Sequence, residues 1–262
     1  MRIAIFAADQ VGLRVARFLG AQGESPTCLV LDAENRQGLN AEIQEALGVR
    51  GSETILTNRP LRGHLAEQLG AFKPDLCVLA WWPYILKADV LAVPQVGCLN
   101  FHPSLLPHGR GKAPNFWSLI EGTPFGVTIH WVDDGIDSGD IAFQKRIPVS
   151  WEDTGETLYT KSLDALVELF EEHWPDIREG SISRTPQPEL AVYHFQRDLE
   201  NGSCIDLDGS YTGRDILNLL RARTFEPHPG AWFEDNGQRY EVRISISHVE
   251  DQTNETRTVR RA

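Results

Sequence analysis

Positive charge is scarce in this chain: 25 Lys and Arg stand against 37 Asp and Glu, a formal net charge of −12. That balance argues against a nucleic-acid partner, because phosphate binding draws on clustered Lys and Arg. No apolar run approaches the roughly 18 residues needed to cross a bilayer. The opening residues, Met1-Arg2-Ile3-Ala4-Ile5-Phe6, read as a strand rather than as a cleavable leader. A cytoplasmic protein without a membrane partner is expected. Cysteine is sparse as well. Cys28, Cys77, Cys98 and Cys204 have neither C-x-x-C spacing nor histidines at metal-ligand separations, so small core residues are expected and no metal site. The turn Ala7-Ala8-Asp9-Gln10-Val11-Gly12 lacks the G-x-G-x-x-G spacing. This weakens the case for a nicotinamide or flavin dinucleotide, and leaves the following helix N-terminus open to a sugar nucleotide or another anion.

What is present is an ordinary globular composition over 262 residues, 41% apolar and 24% charged. Apolar runs at 2–7, 27–31, 76–80, 98–101 and 126–132 read as strands. Between the first two, Val11, Val15, Phe18 and Leu19 share one face of a helix. The alternation predicts an α/β fold, a mostly parallel Rossmann-like sheet with helices on both faces. Asp153-Thr154-Gly155-Glu156 reads as a capping box opening a helix with Tyr159, Leu163, Leu166 and Phe170 on one face, ending near Gly180. After Thr185-Pro186-Gln187-Pro188 the composition shifts. A helix from Thr212 and a hairpin around Asp235-Asn236-Gly237 predict a small C-terminal α+β extension. The expected organisation is 1–185, 186–249, and a polar, disordered tail at 250–262.

The chemistry concentrates in two short stretches. In Leu99-Asn100-Phe101-His102-Pro103, residues two apart face one side of an extended chain, so Asn100 and His102 point together. They lie at the end of a strand, where open α/β sheets bind ligands. In Gly135-Ile136-Asp137-Ser138-Gly139-Asp140 a carboxylate sits in a glycine-rich turn. An amide N–H can donate to a developing oxyanion, and an imidazole near a carboxylate can take a proton from an attacking amine. Singly, each residue also reads as ordinary loop chemistry; together they point to acyl transfer to an amine, without a metal or a covalent enzyme intermediate.

Asn100-Phe101-His102-Pro103-Ser104-Leu105-Leu106-Pro107, Arg110-Gly111, Gly126-Val127-Thr128 and Asp137-Ser138-Gly139-Asp140 resemble the folate-dependent formyltransferases over roughly residues 1–180. The resemblance implies 10-formyltetrahydrofolate as co-substrate, no metal, and Asn100, His102 and Asp137 as the catalytic set. It implies a pterin pocket formed by Trp82, Tyr84, Ile85 and Leu86 with Asp134, Gly135, Ile136 and Asp137. Packing in the core is the lesser alternative for Trp81 and Tyr84. The Arg110-Gly111-Lys112-Ala113-Pro114 wording and the short C-terminal part are most similar to the sugar-nucleotide N-formyltransferases. That implies an amino-deoxy sugar on a nucleoside diphosphate as acceptor, a product used in surface polysaccharide or antibiotic sugar synthesis, and a homodimer. Ser104, Arg110, Lys112 and Trp232 are then candidate acceptor contacts, Arg110 and Lys112 meeting the diphosphate. Methionyl-tRNA and glycinamide ribonucleotide acceptors, hydrolysis of the donor, and a non-catalytic folate- or nucleotide-binding protein remain the alternatives.

Overall fold

A computed structural model describes residues 1–49, 51–57, 64–188 and 192–249. The tail expected at 250–262 lies outside the described residues. In chain order the elements are β1 (Ile3–Ala7), α1 (Asp9–Ala21), β2 (Cys28–Asp32), α2 (Asn40–Leu47), β3 (Thr54–Thr57), α3 (His64–Phe72), β4 (Leu76–Ala80), α4 (Ala88–Leu91) and β5 (Gly97–His102). Then follow β6 (Arg110–Gly111), α5 (Pro114–Glu121), β7 (Gly126–Trp131), β8 (Ile141–Arg146), α6 (Gly155–Glu179), β9 (Tyr193–His194), α7 (Gln196–Asn201), α8 (Gly213–Arg223), β10 (Ala231–Asp235) and β11 (Gln238–Val242).

Seven strands form one sheet in the order β3-β2-β1-β4-β5-β7-β8. The first five run parallel; β7 pairs antiparallel with both β5 and β8. Side chains alternate between the faces of each buried strand. Ile3, Ile5 and Ala7 of β1 enter a core with α1, α2 and α6, while Ala4 and Phe6 enter a second core with α3 and α4. The thiols of Cys28, Cys77 and Cys98 are buried in this second core. Helices therefore cover both faces, and the crossover from β3 back to β4, which sets β4 beside β1, leaves a crevice at the strands' carboxyl ends.

Local chemistry sets the element ends. Thr154 caps α6, its hydroxyl accepting from the Thr157 N–H while Thr157 returns the bond, and Gly180 closes the helix in the left-handed conformation. The partner in this box is Thr157, three residues on, where the sequence suggests Glu156. Thr212 and Asp215 cap α8 in the same way. The predicted hairpin forms with Asn236 (φ 48) and Gly237 (φ 73) as its two turn residues, β10 and β11 closing in antiparallel register. The C-terminal elements share the main core: Leu219, Ala222 and Ala231 pack in the same cluster as Phe116 and Trp117 of α5.

Candidate active site

The pairing of β5 with β7 places Asn100 opposite His130 and His102 opposite Thr128. Leu99 and Phe101, on the other face, are core. Asn100 and His102 thus share a face, as two-residue periodicity requires, and both line a cleft of about 620 Å³ at the carboxyl ends of the strands. His102 is buried, and its Nε2 lies 3.0 Å from the Gly109 carbonyl. A carbonyl only accepts, so Nε2 carries the proton and Nδ1 keeps its lone pair. Nδ1 lies 3.6 Å from Oδ1 of Asp137.

His130 also lines the cleft, although in the sequence it reads only as a strand residue. A lone imidazole in an otherwise apolar strand was the signal. Its Nδ1 lies 2.8 Å from the Trp131 carbonyl and donates there, so Nε2 is the acceptor. That nitrogen receives the Asn100 amide N–H at 3.2 Å. Desolvation first, and then the neighbouring His102, depress the pKa of His130 to about 4, against which Asp137 acts weakly. The ring therefore stays neutral near pH 7 and fixes the Asn100 amide with its second N–H free for the cleft. The amide orientation and the tautomer follow from the same two bonds.

Asp137 is held from several directions. The Gly111 N–H donates to Oδ2 at 2.9 Å, leaving Oδ1 facing His102 and, at 3.7 Å, His130. Gln187 Nε2 donates to the carbonyls of Asp137 at 3.0 Å and Gly139 at 2.6 Å. Arg110 in turn donates through Nε and Nη2 to Gln187 Oε1 at 3.1 and 2.8 Å. Two glycines permit this packing: a Cβ on Gly139 would lie 1.9 Å from the Trp131 carbonyl, and one on Gly111 2.3 Å from the His194 carbonyl. Gln187, which read as part of a connector, is thereby a scaffold of the site.

Backbone strain gathers around the cleft. Asp9 (φ 53), Trp81 (φ 64), Ala113 (φ 56) and Asp137 (φ 52) are four of the seven described non-glycine residues with positive φ, and all four line it. Of the residues expected to hold the donor, Trp82, Tyr84, Ile85, Leu86, Asp134, Gly135, Ile136 and Asp137 line the cleft. Trp82 is largely core, packed edge-on against Phe6, and Tyr84 donates to Asp32 at 2.9 Å. Desolvation and that bond push the Tyr84 phenol up to about 12. Ile85 and Ile136 are exposed at the rim.

The residues expected to touch the acceptor are dispersed. Lys112 is on the cleft wall. Ser104 is buried behind it and donates to the His108 carbonyl. The Arg110 guanidinium is spent on Gln187, because the Asp137 loop needs a support that the spacing alone does not reveal. Trp232 lies away from the cleft, under the Arg239 guanidinium in the C-terminal hairpin.

Comparison with known proteins finds two family matches. Residues 17–173 match the family described as Formyl transferase, and residues 198–248 match the N-formyltransferase dimerization C-terminal domain. The chain is 34% identical over 191 residues to the methionyl-tRNA formyltransferase of Nitrosomonas europaea. That alignment covers 71% of this chain and 57% of the relative, so the chain spans little more than half of that protein. A sugar N-formyltransferase from a Shewanella species superposes with TM-score 0.79 at 24% identity, covering 95% of this chain and 99% of that one. The formyltransferase PseJ from Anoxybacillus kamchatkensis, solved with UDP-4,6-dideoxy-4-formamido-L-AltNAc and tetrahydrofolate, aligns at 26% identity with TM-score 0.58, over 84% of this chain and 97% of that one.

Proposed function

This chain belongs to the formyl transferase family, and on that premise we propose that it moves the formyl group of 10-formyltetrahydrofolate to the amine of an amino-deoxy sugar carried on a nucleoside diphosphate. One observation carries the reading: Asn100, His102 and Asp137 converge on a single cleft whose other walls are the aromatic 81–86 loop and the 133–137 turn. The donor supplies an amide carbonyl as electrophile, and the chain's residues do the rest. Attack by the neutral amine forms a carbon–nitrogen bond, and the carbonyl electrons collect on oxygen. The free N–H of Asn100, fixed by His130, donates to that oxyanion. His102 Nδ1 accepts the proton lost by the amine, with Asp137 Oδ1 stabilising the imidazolium. Collapse breaks the bond to the folate nitrogen, which leaves with the proton returned by His102. A formamide and tetrahydrofolate result.

The donor's flat ring would lie against Trp82, Tyr84, Ile85 and Leu86, with Asp134, Gly135 and Ile136 offering polar groups opposite. Lys112, exposed on the wall, is the cation we assign to the acceptor diphosphate. The C-terminal match supports a homodimer. A cytoplasmic location suits a soluble donor and acceptor, and no helix among the described residues is long and apolar enough to cross a membrane.

The identity to a methionyl-tRNA formyltransferase makes formylation of charged tRNA the second reading. The two separate in one assay. Purified protein is given 10-formyltetrahydrofolate with a panel of nucleotide-linked 3- and 4-amino-deoxy sugars or with methionyl-tRNA, and tetrahydrofolate release is followed. Release driven by a sugar amine, falling by about a hundredfold or more in Asn100→Ala, His102→Ala and Asp137→Ala, is expected. Release driven by the tRNA alone overturns the sugar acceptor, and near-wild-type turnover in His102→Ala overturns the mechanism.

A further inference from the structure

The first turn of α1 holds a group that the chemistry above does not use. Asp9 opens the helix in the left-handed conformation at φ 53, and its side chain lines the cleft. Among the described residues its carboxylate receives no hydrogen bond, and it does not cap its own helix. The groups that act on it electrostatically are Asp32 and Arg36 from the β2 end and Tyr159 from α6. Desolvation first, and then the charge of Asp32, raise its pKa, Arg36 opposing weakly. A partly desolvated acceptor without an internal donor is costly in the empty site, and a donor on a ligand relieves that cost.

The surroundings say what kind of ligand. Trp81, the next residue after β4, also holds a positive φ and packs edge-on against Tyr159 at 5.9 Å, on the side of the sheet covered by α1 and α6. The aromatic surface assigned to the donor, Trp82 to Leu86, packs on the opposite side. Trp81 and Tyr159 therefore flank the part of the cleft left to the acceptor, and Asp9 acts on Tyr159 from the start of α1. An apolar aromatic face beside a carboxylate without a hydrogen-bond donor suits a sugar ring, whose carbon–hydrogen face packs on aromatics while its hydroxyl or amide N–H groups donate outward. The same carboxylate repels phosphate from the α1 N-terminus, where the sequence alone leaves room for an anion.

Resting on the sugar acceptor proposed above, we infer that Asp9 is a specificity-determining residue: it accepts hydrogen bonds from hydroxyl or amide N–H groups of the acceptor's sugar ring and bars phosphate from the start of α1.

Asp9→Asn keeps the size and the tolerance for a left-handed backbone, and Asp9→Gly removes the side chain while keeping that backbone. Steady-state kinetics of both variants, with the sugar nucleotide varied and then with 10-formyltetrahydrofolate varied, are expected to show the acceptor KM rising about tenfold or more, while kcat and the donor KM stay within about twofold. A purely structural Asp9 predicts the reverse: an unchanged acceptor KM with a lower melting temperature, and that result overturns the inference. If the wild type formylates no sugar, the proposed acceptor chemistry fails by itself. Titration calorimetry with the same sugar nucleotides then decides on Asp9. Binding weakened about tenfold in Asp9→Asn upholds its role, whereas equal binding, or none to the wild type, overturns it.

Discussion

At the residue scale the site is governed by two histidines whose protons are placed by carbonyls. Gly109 holds the proton of His102 on Nε2 and Trp131 holds that of His130 on Nδ1, so neighbouring rings present opposite nitrogens to the cleft. Their rings stand edge to face, 6.1 Å apart. His130 also carries a stability consequence. Its folded pKa of about 4 lies below the ordinary histidine value, so the fold favours the neutral ring. That contribution is complete above about pH 6.5 and is lost as pH falls toward 4, because the unfolded chain takes up a proton the folded one refuses. The full loss is roughly 3 kcal/mol. In His130→Gln, denaturant titrations between pH 7 and pH 4 should show a shallower fall in stability by that order. Turnover should also drop, because Asn100 loses its fixed partner. Parallel stability curves for variant and wild type would contradict the assignment. Asn100, His102 and Asp137 are expected together from the sequence, the first two by their two-residue spacing, and the structure brings all three to one cleft. His130, Asp9 and Gln187 are not expected from it. Each acts through a contact made by topology: antiparallel pairing for His130, the crevice between β1 and β4 for Asp9, and a return of the chain for Gln187.

At the scale of elements, strands with strong apolar runs were legible and the weakly patterned ones were not. β1, β4, β5 and β7 read directly, since each is buried on both faces. β8 is an edge strand in which three apolar residues, Ile141 to Phe143, give way to Gln144, Lys145 and Arg146, a pattern that carries no strand periodicity. Helices α2, α3 and α5 were missed for their brevity. The loop after β7 depends on another segment for its shape. Gln187 bridges Arg110 to the carbonyls of Asp137 and Gly139, so the loop is restrained by a chain segment 48 residues or more away. Gln187→Ala should reduce kcat by about tenfold while leaving the acceptor KM nearly unchanged, because it misplaces the carboxylate proposed to act on His102 without touching substrate. Arg110→Ala combined with Gln187→Ala should cost little more than Gln187→Ala alone, since both act through one relay. Additive losses in the double variant would show that Arg110 has an independent role, such as the diphosphate contact expected from the sequence.

At the scale of the molecule, a mostly parallel, Rossmann-like sheet with helices on both faces was legible from alternating strands and helices, and the antiparallel edge formed by β7 and β8 was not. The C-terminal elements are joined to the rest by more than a connector. Arg221 of α8 is buried and donates from Nη1 to the carbonyls of Ser150 at 2.6 Å and Asp153 at 3.3 Å, just ahead of α6. Leu219 and Ala222 on the same helix enter the main core. A single cooperative thermal transition is therefore expected for the whole chain. Arg221→Met, which keeps the apolar stem but removes the donors, should lower that transition as one, by roughly 4–8 °C. Two separate transitions in calorimetry, of which only one responds to the substitution, would show that the C-terminal part melts independently.

The Gln187 bridge has a consequence for the order of synthesis. A nascent chain that has not yet released Gln187 from the ribosome has already made Asn100, His102 and Asp137, but it lacks the residue that latches the Asp137 loop. On the proposed mechanism, competence therefore arrives late in translation, when the connector emerges and folds back, and a polypeptide abandoned before that point carries the three proposed catalytic residues without a working arrangement of them.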